Sequence, residues 1–183
     1  MLYRGGGTII KKGKILTFFA VTILTAVLLS GCLGGGGGTW IPKTGDFLEY
    51  SSSMMDIMNI TVRMEIKAVT DTTMTINITS TVSGMPPTYQ EQTVAKGSLF
   101  GQSYDINNPP AGTNVTKVGT EQVSTKWGSR SADHYVVTQQ GITATTDIWM
   151  RSGIILKVNL SSESLSMTIL RLTDTNISLI TNP

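Results

Sequence analysis

Residues 60–68 read Ile60-Thr61-Val62-Arg63-Met64-Glu65-Ile66-Lys67-Ala68. Apolar side chains hold one parity, and threonine and charged side chains hold the other. A period of two is the pattern of a half-buried β-strand. Thr70-Asp71-Thr72-Thr73 then supplies residues that turn a chain. Beyond it, Met74, Ile76, Ile78 and Val82 alternate with Thr75, Asn77, Thr79 and Thr81. The two strands form a hairpin.

The same alternation extends outward. Ser83–Pro87 breaks the pattern, and Thr88–Val94 reads as a further strand. Ser98–Tyr104 is ambiguous, with a short helix among its readings, and Asp105–Gly112 is a Pro/Asn loop. Strands are expected at about 121–125, 130–139, 142–150, 154–161 and 165–173. Lys126-Trp127-Gly128, Gln140-Gly141, Arg151-Ser152-Gly153 and Ser162-Glu163-Ser164 separate them. In the last strand Leu165, Met167 and Ile169 share one parity while Leu170 and Leu172 take the other. A bulge at Ile169–Leu170 restores a single face. Strands about ten residues apart with short turns make an antiparallel meander, and no βαβ rhythm exists. Residues 40–183 are rich in Thr and Ser and poor in Ala, Leu and Glu, which favours strand over helix. The expected class is all-β: a strongly curved antiparallel sheet or incomplete barrel, with room for one short helix. A β-sandwich is the alternative. With one cysteine there is no internal disulfide, so buried Ile, Val, Leu and Met must hold the domain.

The first 31 residues differ from the rest. Arg4, Lys11, Lys12 and Lys14 precede an apolar run from Ile15 to Leu29, and Ser30-Gly31 lead to Cys32. This is the tripartite form of an export signal. Leu29-Ser30-Gly31-Cys32 resembles the lipobox of prokaryotic lipoproteins. The resemblance implies a signal peptide at 1–31 and acylation of Cys32, which becomes the first residue of the mature protein. Two or more acyl chains, at about 0.8 kcal/mol per buried CH₂, make such anchoring stable. An uncleaved membrane helix over Ile15–Leu33 and a pilin-like cut near Lys12-Gly13 are the alternatives. Each reading puts residues 40–183 outside the cell. Residues 32–39 contain Gly34–Gly38 and form a flexible tether, with a root-mean-square span of roughly 15 Å and a limit of about 24 Å.

The segments Gly119–Gly128, Asp147-Ile148-Trp149 and Gly153-Ile154-Ile155-Leu156-Lys157 resemble exported β-proteins built on the twisted sheet of LolA/LppX-type lipoprotein carriers. That resemblance implies the fold. No ligand motif of the carriers is matched here, so it transfers no ligand-binding residue.

Composition excludes several chemistries. Charged residues make up 14% of the chain. From Cys32 onward ten basic residues face twelve acidic ones, so no basic face is left for nucleic acid. One histidine and one cysteine provide neither a His-rich metal centre nor a thiolate cage. Thioether binding of Cu(I) by Met54, Met55 and Met58 is weaker than core filling as a reading of those methionines. Asp133 and His134 are adjacent on a strand, so they point to opposite faces and make a poor catalytic pair; no Gly-x-Ser-x-Gly elbow is present. Trp40, Trp127 and Trp149 read as core, with a sugar or lipid platform as the alternative. No cofactor and no metal is expected, and the chain is not expected to be an enzyme.

Five Asn-x-Ser/Thr sequons mark Asn59, Asn77, Asn114, Asn159 and Asn176 as candidate glycosylation sites. Strand parity turns Asn59, Asn77 and Asn159 to solvent and leaves Asn114 and Asn176 in or beside loops. A lipobox together with many sequons points, by analogy, to an archaeal cell surface. The inward methionines and their neighbours, Met64, Ile66, Met74, Ile76, Ile148, Met150 and Leu156, are the expected lining for an apolar ligand. The functional expectation is a lipid-anchored, extracytoplasmic, non-catalytic module that binds an apolar or lipid-like ligand. The alternative is a structural or partner-binding component of the cell envelope. Its partners would be membrane lipid through Cys32 and an apolar ligand or envelope protein, with no nucleic acid.

Overall fold

The computed structural model describes residues 40–54, 58–95, 109, 111–163 and 165–182. Cys32, the leader, the tether, Met55 and the ambiguous stretch 98–104 lie outside the described residues. The strands are β1 (Phe47–Met54), β2 (Met58–Val69), β3 (Thr73–Val82), β4 (Thr88–Ala95), β5 (Thr113–Thr125), β6 (Gly128–Gln139), β7 (Thr145–Arg151), β8 (Ile154–Ser162) and β9 (Leu165–Thr175). A single helical turn, α1 (Ser178–Thr181), follows. All nine strands lie in one sheet in the order β4-β3-β2-β1-β9-β8-β7-β6-β5, and every pairing is antiparallel. The sheet is not closed: β4 and β5 are its edges.

The period-two reading holds where it was strongest. Ile60, Val62, Met64 and Ile66 are buried, and so are Met74, Ile76 and Val82 opposite them across the β2–β3 hairpin. Ala68 leaves the buried parity because the register shifts between Ile66 and Ala68. In β9 Val158 pairs with Leu170 and Asn159 with Thr168, which leaves Ile169 as the extra residue. The bulge expected there is present, and it brings Leu170 and Leu172 into the core.

Two sequence-based expectations are corrected. There are nine strands, not about eight, because Phe47–Met54 is a strand. Its inward residues Leu48, Tyr50 and Ser52 include a serine, so the apolar alternation stops early. It is nevertheless central, paired with β2 on one side and β9 on the other. Burial raises the Tyr50 phenol above its ordinary range. β5 begins at Thr113, not near 121, and so Asn114 lies in a strand. Its first half is a mostly exposed edge strand with little apolar alternation to betray it.

While Trp149 is buried on the opposite face, most of the buried side chains lie on the face shared by Leu48, Met64, Ile76, Val158, Leu170 and Leu172. Among the described residues only one other element, the four-residue α1, is available to cover it. Complete burial of Tyr50, Val158 and Leu170 therefore requires the sheet to curl around its own apolar face. Trp40 links elements across one end of that curl. Its backbone N–H donates to the Ser152 carbonyl in the β7–β8 turn at 3.0 Å, and its ring packs against the core.

Candidate functional site

The residues expected to line an apolar hollow sit in the core. Met64, Ile66, Met74, Ile76, Met150 and Leu156 are buried, and Ile148 is partly so. The gap bounded by Trp40, Leu48, Met64, Ile66 and Ile76 measures about 10 Å³. That is about the space of one water molecule.

The sequons separate into two groups. Asn59 and Asn114 are exposed and lie at the starts of β2 and β5. Asn77 is half-buried in β3. Asn159 Oδ1 accepts a hydrogen bond from Thr168 Oγ1 at 2.9 Å. The Asn176 amide ties the segment after β9 to the start of β1: Oδ1 accepts from the Phe47 N–H and Nδ2 donates to the Gly45 carbonyl, both at 2.9 Å.

A polar cluster that the sequence did not reveal occupies the other face of β5–β8. His134 lies directly across from Trp149, and their rings stack at 4.4 Å and 15°. Each imidazole nitrogen meets a carboxylate at 2.9 Å, Nδ1 at Glu121 and Nε2 at Asp147. The Trp149 indole N–H donates to the second Glu121 oxygen at 2.8 Å, and the Lys157 ammonium lies 4.7 Å from the Trp149 ring centroid. Hydrogen bonds from Trp149 and then His134 hold the Glu121 carboxyl below its ordinary range. Trp149 is thus buried in an outer layer, sandwiched between strand-neighbour side chains. A neutral imidazole can donate from only one nitrogen, so the arrangement is fully hydrogen-bonded only when the ring carries both protons. Neither nitrogen is directed at a hydroxyl nucleophile, and Asp133 instead pairs with Lys117 and Thr120. Among the described residues no three His, Cys, Asp or Glu side chains converge as a metal site.

The turns could have exposed this cluster. Positions 121 and 134 are nearly symmetric about the break at 126–128, and positions 134 and 147 about that at 140–141. Folding a meander about its turns brings such positions to diagonal neighbours on one face.

Two further surfaces stand open. β4 has an outer edge unpaired among the described residues, and its Tyr89 is 71% exposed. A groove of about 330 Å³ runs between Trp40–Asp46 and Asn176–Leu179. The Trp40 indole N–H is fixed to Asp46 Oδ2 at 3.0 Å, and the Lys43 backbone N–H donates to the same oxygen. Arg130 and Arg151 hold the groove's other wall. Arg130 Nε donates to the Ile180 carbonyl at 2.7 Å and Nη2 to that of Thr181 at 3.1 Å, while Arg151 Nε donates to that of Leu179 at 3.0 Å. These are the carbonyls that so short a helix cannot satisfy itself.

No protein-family model matches the chain, and no curated protein matches it. Among solved structures it is similar to MucB, from a complex of MucB with MucA(peri), with 14% identity and a TM-score of 0.49 over 72% of this chain. The match spans half of the MucB chain. It is also similar to a protein from Bacteroides fragilis, described as exported and as having a YmcC-like fold, with 9% identity and a TM-score of 0.44 over 78% of this chain and all of that one.

Proposed function

We infer that the protein is an exported, lipid-anchored, non-catalytic binding module of the cell envelope that takes its partner on the outside of the sheet, by strand addition to β4. One observation carries this reading: the two sheet edges are unequal. β5 bears the protections usual for an edge, a bulge between Lys117 and Gly119 and the charges Lys117 and Glu121. β4 is eight residues long and pairs with β3 without a register shift. It has one charge, Glu91, and neither Lys nor Pro within it. A regular, weakly guarded edge suits a peptide that adds as a further strand. MucB, crystallised in complex with MucA(peri), is a similar structure that binds a protein. Export and anchoring rest on residues 1–32 and the lipobox resemblance. The occupied ring nitrogens of His134 support a structural role for that cluster. Exposed Asn59 and Asn114 are the sequons best placed for a glycan.

The test places a photo-cross-linking residue, Tyr89→p-benzoylphenylalanine, in the full chain expressed in its own cells. A specific adduct with an envelope protein, absent when the cross-linker replaces Gln122 on β5, is the expected result. Equal labelling at both positions, or none at 89, overturns the reading. An apolar ligand in the interior is the second reading. It rests on the methionine-rich core and requires that core to open, and it predicts a co-purifying lipid in native mass spectrometry of the detergent-extracted protein.

A further inference from the structure

The chain enters the domain at Trp40, and two aliphatic side chains stand exposed beside that entry. Ile41 is 67% exposed and Leu179 is 41% exposed, and they flank the same groove. Trp40 lines the same groove, with its ring against the core and its N–H fixed on Asp46. Lys43 is exposed on the rim. The start of β1, the end of β9 and the β5–β6 turn, with Lys126 and Trp127, lie at this same end of the sheet. The exposed sequons Asn59 and Asn114 lie at the opposite end, at the starts of β2 and β5.

The geometry points to this end as a membrane-docking surface that rests on lipid: Ile41 and Leu179 enter the headgroup–acyl boundary, Trp40 sits at the interface and Lys43 faces the phosphates. The proposal rests on the reading of Cys32 as the lipid anchor. The occupant is a bilayer, and not a protein or a second copy, because of chain length. Trp40 is eight residues beyond Cys32, and a glycine-rich stretch of that length averages roughly 15 Å. The tether keeps this end of the sheet close to the lipid. Tryptophan with a satisfied N–H, flanking aliphatic side chains and a nearby lysine are the groups that partition at such an interface. Docking there also orients the sheet, with the β6–β7 and β8–β9 turns pointing away from the membrane.

The test uses the full chain, purified in detergent and reconstituted into vesicles of phosphatidylcholine and phosphatidylglycerol that carry brominated acyl chains. Trp40 emission is isolated by subtracting the Trp40→Phe variant, and the mass of the mature N-terminus is measured on the same sample. Acyl mass on Cys32, with Trp40 quenched at least twofold by shallow bromines and less by deep ones, is expected. The pair Ile41→Asp and Leu179→Asp should remove most of that quenching and leave the acyl mass unchanged. Acyl mass with Trp40 unquenched, or quenched equally in the double variant, overturns docking and leaves anchoring intact. A dimer or protein adduct that shields Trp40 from aqueous iodide without bromolipid quenching overturns it in favour of another occupant. A glycan on Asn176 overturns it as well, since it would fill the groove. Unmodified Cys32 removes the anchor and the docking argument with it.

Discussion

Replacing Met74 or Leu156 with alanine separates a solid interior from a ligand-lined one. Each side chain is 1% exposed and belongs to the single core cluster. In a filled core, truncation of Met or Leu to Ala loses the transfer term and leaves a cavity, together about 2–5 kcal/mol. For a domain of this size 1 kcal/mol shifts the midpoint by about 3–4 °C, so a loss of 3 kcal/mol lowers Tm by about 10 °C. If the same side chains instead lined a hollow that can collapse or hold ligand, the cavity term would vanish, leaving about 1–2 kcal/mol. The 10 Å³ gap beside Met64, Ile66 and Ile76 favours the larger figure. Met85→Ala is the control: Met85 is 52% exposed in the β3–β4 turn, and its loss should stay within about 0.5 kcal/mol. Urea unfolding of the full chain in mild detergent, followed by tryptophan emission, measures all three variants. A loss below about 2 kcal/mol at both Met74 and Leu156, with an unchanged urea slope, refutes the packed-core argument and revives an interior ligand.

Other outcomes follow from particular contacts. Arg130→Met removes the forked donors that hold the Ile180 and Thr181 carbonyls, and should cost about 1.5–3 kcal/mol in the same assay. Arg130→Lys should recover less than half, because an ammonium cannot span both carbonyls. The folded-state pKa of Glu121 is depressed, so its contribution to stability is present above the ordinary glutamate value and disappears as pH falls through the lowered one. Glu121→Gln should therefore destabilise at pH 7, with the gap to the parent closing toward pH 3 in thermal melts. Asp174, held down chiefly by Lys126, has the same sign, and Asp174→Asn should show the same closing gap. If the sequons are used, peptide mapping should find glycan on Asn59 or Asn114 before Asn159, whose amide oxygen is already engaged by Thr168.

The sequence carried the fold where side chains alternate because one face is buried. β2, β3 and β8 announce themselves for that reason, and so does the bulge at Ile169, where two apolar residues in a row can share a face only if one is extra. It failed where burial comes from elsewhere. β1 is central, yet Ser51-Ser52-Ser53 carries no apolar alternation, and its strand state is imposed by partners on both sides. The first half of β5 is a mostly exposed edge in which Val115 packs on the core, so the apolar alternation is weak there. The His134 cluster was out of reach of composition, because it depends on register. Glu121, His134, Asp147 and Lys157 come from four successive strands, and a slip of one residue in any hairpin would turn one of them to the opposite face.

That dependence on register bears on where binding can occur. An apolar face that encloses a core leaves the opposite face to satisfy its polar groups locally, and the β5–β8 region does so with paired carboxylates, an imidazole and an indole. Groups already bonded to one another offer little to a partner without first breaking those bonds. The interior is closed by packing at the end beside Trp40. Among the described residues, β4 is the edge strand that pairs without a register shift, and Ile41 and Leu179 are the exposed aliphatic side chains beside Trp40. These two surfaces have different chemistry, hydrogen-bonding in one and apolar in the other. They also belong to different parts of the sheet, one along an edge strand and one at the end where the chain enters. A membrane at the Trp40 end would leave the length of β4 available, so the two interactions need not compete. Cross-linking from position 89 should therefore survive Ile41→Asp with Leu179→Asp in cells that retain the anchor. Loss of the adduct in that variant would mean that orientation at the membrane, and not the edge alone, sets access to the partner.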